Sequence, residues 1–213
     1  TLTTSSAASD VYKRQKNELT FGDFRGPSRH GWYAISQGAG REFYGTHYWT
    51  EKETFIDPAS EELLGDDSEL IMKRALGFID EHRENPFLAV VWFHAPHLPC
   101  VASKEDTDKY AASDPKLDGL HLNYYGCVTA LDRAVGKLRA RLRKLGVADN
   151  TLVAFCSDNG PEGNQNAPGR PGNFKGRKRS LYEGGVRVPS LLEWPAKIKP
   201  GTRSEVALSL IHI

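Results

Sequence analysis

The stretch "YYGCVTALDRAVGKLRARLRKLGVADNTLVAFCSDNGPEG" (Tyr124–Gly163) runs a helix pattern into a strand pattern and ends in polar residues. Val128, Leu131, Val135, Leu138, Leu142 and Leu145 recur at steps of three and four, which makes one apolar stripe along a helix, and Gly146 stands where such a helix ends. The Arg and Lys residues fall off that stripe and are expected to form a solvated face. "TLVAFC" (Thr151–Cys156) then reads as a buried strand, and Asp158 and Asn159 follow where it stops. Asp-Asn-Gly-Pro is ordinary turn chemistry. The same two side chains also offer oxygen ligands to a hard cation at a strand's carboxyl end, where α/β enzymes place their chemistry. From these residues alone both readings stand.

On the amino-terminal side, "DDSELIMKRALGFIDEHREN" (Asp66–Asn85) places Leu70, Ile71, Ala75, Phe78 and Ile79 at helical spacing, with Asp67 or Ser68 as the cap and Asn85-Pro86 as the stop. "FLAVVWF" (Phe87–Phe93) is a continuous apolar run of the kind found in strands covered on both faces. Val101–Leu117 reads as polar loop, and "VPSLLEW" (Val188–Trp194) as a third apolar stretch. Lys16–Asp57, aromatic and Gly-rich, reads as irregular covering chain with short elements at most. Strand, loop, helix, strand predicts an α/β architecture with a largely parallel sheet flanked by helices.

Composition narrows the class. With 39% hydrophobic and 26% charged residues the chain is an ordinary globular protein, and its formal net charge of +1 argues against a partner chosen by bulk electrostatics. No apolar run is long enough to span a bilayer. Cys100, Cys127 and Cys156 sit singly, without metal-ligand spacing, and Cys127 and Cys156 are expected to be buried free thiols.

Three polar stretches follow buried segments. "HAPHLP" (His94–Pro99) carries His94 and His97; Asp158-Asn159 is the second; "GRKRSLYEGGVRVP" (Gly176–Pro189) places Lys178 ahead of Glu183, Gly184 and Gly185. Singly, each has a bland reading as a structural histidine, a turn, or a solvated basic loop. Together they hold cation ligands, an ammonium and an imidazole, the inventory for attack on a sulfate or phosphate ester.

"FLAVVWFHAPHLP" (Phe87–Pro99), Tyr124–Gly163 and "GRKRSLYEGGVRVPSLLEWPAKIKPG" (Gly176–Gly201) resemble, in order and spacing, successive blocks of the type I sulfatases of the alkaline-phosphatase-like superfamily. "GPSRHGW" (Gly26–Trp32) resembles a less specific preceding segment. The resemblance implies a partial sulfatase fold, a mainly parallel sheet flanked by helices, lacking its amino-terminal part. It implies that Asp158 and Asn159 bind Ca²⁺ or Mg²⁺, that His97 and Lys178 contact the sulfate, and that His94 is a neighbour in the substrate site. Glu183, Gly184, Gly185 and Arg187 match the shape of the family's Glu-Gly-Gly bend, and Lys175 and Arg177 are candidates to line the pocket. The implied substrate is a sulfated small molecule or glycan, with no nucleic acid, and a periplasmic or secreted parent is in keeping with it.

The family's nucleophile, a formylglycine made from Cys or Ser in Cys-x-Pro-Ser-Arg, has no counterpart here. "RGPSR" (Arg25–Arg29) mimics the motif but has Arg25 at the convertible position. The amino-terminal Asp pair that completes the metal site is also missing, so the polypeptide itself is expected to be without sulfatase turnover. The ends suggest why. "DVYKRQ" (Asp10–Gln15) can be coded by GAT GTG TAT AAG AGA CAG, whose reverse complement translates as "LSLIHI" (Leu208–Ile213). Both resemble a translated sequencing adapter, so residues 1–15 and 208–213 are expected to be non-native, with Lys16–Ala207 an interior slice of a sulfatase catalytic domain. A phosphodiesterase or phosphonate hydrolase of the same superfamily is one alternative. A binding module using "GRPGNFKGRKR" (Gly169–Arg179) as a basic strip is another, and a non-catalytic family member a third.

Overall fold

The computed structural model describes residues 48–49, 55–56, 68–97 and 100–207. The adapter-like ends, the Arg25–Arg29 segment, Asp67, Leu98 and Pro99 lie outside the described residues. Within the aromatic segment, strands β1 (Tyr48–Trp49) and β2 (Phe55–Ile56) form a short antiparallel pair. Helices α1 (Ser68–His82), α2 (Lys104–Ser113) and α3 (Gly119–Lys144) follow, then a 3₁₀ turn at Ala148–Asn150, β3 (Val153–Cys156), the short helical turn α4 (Glu183–Val186) and β4 (Ser190–Glu193).

The long helix α3 is the frame on which the rest is laid. Its most buried face is Leu122, Asn123, Gly126, Cys127, Ala130, Ala134 and Leu142, whereas Val128 is exposed and Leu131, Val135 and Leu138 are half-buried. The closest seam is therefore made of small residues, one step round from the leucine stripe, because small side chains let neighbouring backbones come near. A Cβ on Gly126 would lie 2.5 Å from the Cβ of Ala102. Val101 and Ala102 are fully buried there, and Asn123 accepts the amide of Ala102 at 2.9 Å while its own amide donates to the carbonyl of Gly119 at 2.8 Å. Met72 and Ala75 of α1 pack on Ala134, with Val91 and Phe93 against the same cluster.

Helix α2 occupies the stretch expected to be polar loop. Little of it is apolar, so hydrophobic periodicity gives no sign of it. Its signal is Ser103-x-x-Asp106, a capping pattern: Ser103 Oγ accepts the Asp106 amide at 3.2 Å and donates to Asp106 Oδ2 at 3.0 Å. Asp106 is buried and is gripped by the guanidinium of Arg133 through two bonds of 2.9 and 2.7 Å. Arg133 and Lys137 of α3 also reach Glu69 of α1, so one network pins the three helices. The basic face of α3 is thus laced with ion pairs rather than merely solvated; Arg141 pairs with Asp80, and Arg139 with Glu193 of β4.

Burial alone would raise the pKa of Asp106, but Arg133, then Lys109 and Ser103, bring it down to about 2 from 3.8. The folded-state value lies below the unfolded one, so this stabilisation is complete above about pH 4 and is lost as the pH falls through 2. Its size is about 2 kcal/mol. Asp106→Asn is expected to lower unfolding free energy at pH 7 by about 2 to 3 kcal/mol in urea titrations. The difference between variant and wild type should shrink towards zero near pH 2.

Among the described residues the sheet adds one antiparallel pairing and corrects one expectation about a strand. The strand pair is antiparallel, Val153 opposite Glu193 and Cys156 opposite Ser190. The 157–189 connection folds beyond the carboxyl end of β3 and returns from that same end, instead of crossing over through a helix as a parallel pair requires. Phe87–Phe93 is half-exposed, with Leu88 in an isolated bridge; among the described residues no ladder joins it to β3. Cys156 is exposed, not buried, because it lies on the uncovered face of the β3–β4 pair; Cys100 and Cys127 are buried, and all three are free thiols. Among the described residues no helix is long and apolar enough to cross a membrane.

Candidate sulfate-ester site

The loops after Phe93, after β3 and before β4 meet at one end of the β3–β4 pair. In the first, the His97 amide donates to the His94 carbonyl at 2.6 Å, and the Cys100 thiol donates to the Pro96 carbonyl at 3.4 Å. A tight turn anchored on a buried cysteine thereby presents the His97 ring, half exposed, at the surface.

The second and third loops are clamped backbone to backbone. The Gly160 amide donates to the Gly185 carbonyl at 2.8 Å, and a Cβ on Gly160 would lie 1.9 Å from the Gly184 carbonyl oxygen. Gly184 and Gly185 are equally confined: their Cβ positions fall 2.2 Å from the Gly176 oxygen and 2.1 Å from the Ser180 oxygen. No side chain fits at these three positions, which is why the sequence spells Asn-Gly-Pro and Glu-Gly-Gly. The Lys178 amide donates to the Pro161 carbonyl at 3.1 Å and completes the seam. Asp158, exposed, and Asn159, half-buried, are thus carried on a turn fixed directly to the Lys178 bend.

Lys178 and His97 converge on Glu162. Glu162 Oε2 lies 3.3 Å from Lys178 Nζ and 3.4 Å from His97 Nε2, and Oε1 lies 2.9 Å from the guanidinium of Arg179. Burial alone would raise the pKa of Glu162; the Lys178 ammonium, followed by His97 and Arg179, outweighs it and holds the carboxyl below its ordinary range. Glu162 is therefore an anion at neutral pH, with 15% of its side chain exposed. Its only sequence signal is a carboxylate two residues after Gly160, facing a basic loop.

The remaining cations of that loop are engaged internally. Arg177 donates to the carbonyls of Glu162, at 3.1 Å, and of Gly169, and Lys175 Nζ sits 4.1 Å above the Tyr182 ring. Arg177 therefore ties the loop together. His94 contributes its carbonyl to the His97 turn.

Asp158 and Asn159 supply the carboxylate and amide oxygens that hard cations favour. Among the described residues no group of three or more His, Cys, Asp or Glu gathers to enclose a metal. The donor set fits such an ion in kind and would supply part of its shell.

A turn bearing carboxylate and amide oxygens, locked to one loop that offers an ammonium and close to another that offers an imidazole, is the inventory of the hydrolases of anionic esters. The family model described as Sulfatase matches residues 10–213, and the chain belongs to that family. It is 35% identical over 143 residues to the steryl-sulfatase of Rattus norvegicus, covering 64% of this chain and 23% of that one. It is 32% identical over 158 residues to an N-acetylgalactosamine-6-O-sulfatase of Bacteroides thetaiotaomicron, covering 70% of this chain and 29% of the relative. Among solved structures, Ps i-CgsB in complex with k-i-k-neocarrahexaose aligns with TM-score 0.54 and 35% identity, over 60% of this chain and 28% of that one. The α/β class of the sulfatases is thus the fold, in part, and the chain spans about a quarter of the length of the curated relatives it matches.

Proposed function

We propose that this chain is the part of a sulfuric ester hydrolase that binds the sulfate head of the substrate and supplies two ligands to its metal ion. One observation carries the reading: Lys178 and His97, from loops far apart in sequence, meet at one ionised carboxylate beside the clamped Asp158-Asn159 turn. The family generally uses a metal ion and a formylglycine, which supply charge neutralisation and the nucleophile. Asp158 and Asn159 would hold the ion, calcium or magnesium. Lys178, four-fifths buried, is placed to neutralise charge on the non-bridging oxygens, where low local polarity strengthens the contact. His97, more exposed, is placed to bind the same head and to donate a proton towards the leaving oxygen. The substrate class is a sulfated small molecule or glycan.

The experiment is to recover the contiguous reading frame around Lys16–Ala207, express the whole protein and assay it on aryl, steryl and glycan sulfates. Release of inorganic sulfate, abolished by a chelator and restored by Ca²⁺ or Mg²⁺, is the expected result. Release of phosphate from phosphodiesters with no action on any sulfate ester would replace this reading with the alternative in the same superfamily.

A further inference from the structure

We propose that Glu162 is a positioning residue of the sulfate site: its carboxylate holds the Lys178 ammonium and the His97 imidazole at one place. The proposal rests on the reading of Lys178 and His97 as sulfate contacts and adds the group that sets them.

The geometry is specific. Both contacts fall on one oxygen, Oε2, at 3.3 and 3.4 Å, while Oε1 is taken by Arg179 at 2.9 Å. Side-chain exposure is 15% for Glu162 and 20% for Lys178, so this pair is shielded from water far more than a surface ion pair. The backbone of Glu162 is fixed as well, since its carbonyl accepts from Arg177 and its neighbour Pro161 accepts from the Lys178 amide. The carboxylate is thus held by the loop it organises. The anion beside Nε2 favours a proton on that nitrogen and so orients the imidazole ring. Lys178 has three N–H donors and gives one direction to Glu162, leaving the others for the sulfate oxygens. Without the carboxylate, two or three cations would repel one another across the mouth of the site, and the flexible lysine would lose its preferred direction.

The test is a double-mutant cycle in the whole enzyme on the ester it hydrolyses, with Glu162→Gln, Glu162→Asp, Lys178→Ala and the pair Glu162→Gln/Lys178→Ala. Glu162→Gln is expected to lower kcat/KM by about 10- to 100-fold, as loss of an orienting partner does. Glu162→Asp, which keeps the charge, should recover most of that loss, and Glu162→Gln should cost much less once Lys178 is alanine. Equal losses in both backgrounds, or Gln performing as well as Asp, would overturn the proposal and leave Glu162 a structural residue. A gain in sulfate affinity in Glu162→Gln would also overturn it, by showing that the carboxylate competes with the anion. If Lys178→Ala retains wild-type rates, the underlying reading of the sulfate site fails and takes the proposal with it. Should Glu162→Gln not fold, the comparison of Glu162→Asp across the Lys178 backgrounds decides: equal losses overturn the proposal, coupled losses support it.

Discussion

Lys178→Ala is expected to reduce turnover of the intact enzyme by about two to three powers of ten, the loss that follows removal of one donor to a developing anion. The expectation comes from where the ammonium sits. Its backbone is tied to Pro161, its charge is balanced by Glu162, and four-fifths of the side chain is out of solvent. Truncation to alanine leaves Glu162 facing the substrate with less compensation, so the variant adds repulsion to a lost attraction. Lys178→Arg should recover little, because the wider planar fork cannot reproduce a point charge at that spot. Steady-state kinetics checks both variants. Rates within a factor of about three of wild type for Lys178→Ala would remove this residue from the site.

Gly160→Ala is expected to be nearly as damaging to activity and more so to the fold. The added Cβ would meet the Gly184 carbonyl oxygen at 1.9 Å and the Gly184 carbonyl carbon at 2.9 Å, both backbone, so relief requires parting the two loops. Parting them breaks the bond from the Gly160 amide to Gly185, at a position that is buried. Overpacking together with a stranded donor costs about 2 to 4 kcal/mol. A shift of about 1 Å between the Asp158-Asn159 turn and Lys178 is enough to lower the rate about 100-fold. Gly77→Ala is the control: a Cβ there meets nothing within 4 Å in the middle of α1. That variant should unfold at equal or higher denaturant, with a gain of up to about 1 kcal/mol. Chemical denaturation and kinetics on the two alanine variants separate crowding at the seam from any general effect of removing glycine.

The parts of the fold that the sequence disclosed are those whose signal is local. Helices α1 and α3 follow from apolar spacing, and β3 and β4 from short apolar runs bounded by turn residues. Helix α2 was hidden because its stability comes from the Ser103–Asp106 cap and the Arg133 fork, neither of which leaves a hydrophobic period. The direction of pairing between β3 and β4 was hidden because it depends on how the 157–189 connection returns, a tertiary property. Exposure of Cys156 was hidden for a related reason, since a strand pattern does not say which face is covered. At the site, Asp158, Asn159, His97 and Lys178 stood out by residue type and by the family resemblance. Glu162 did not, because a carboxylate in a loop gains meaning only from cations brought to it by other loops. The three confined glycines were visible as letters, but that they confine one another is visible only in the folded chain.

The most direct test of the whole account is a crystal structure of the intact enzyme with inorganic sulfate and calcium bound. The expected result is sulfate oxygens about 3 Å from Lys178 Nζ and from a His97 ring nitrogen, with the cation held by Asp158 and Asn159 against the same sulfate. Sulfate bound away from these side chains, or a cation held without Asp158 and Asn159, would contradict it.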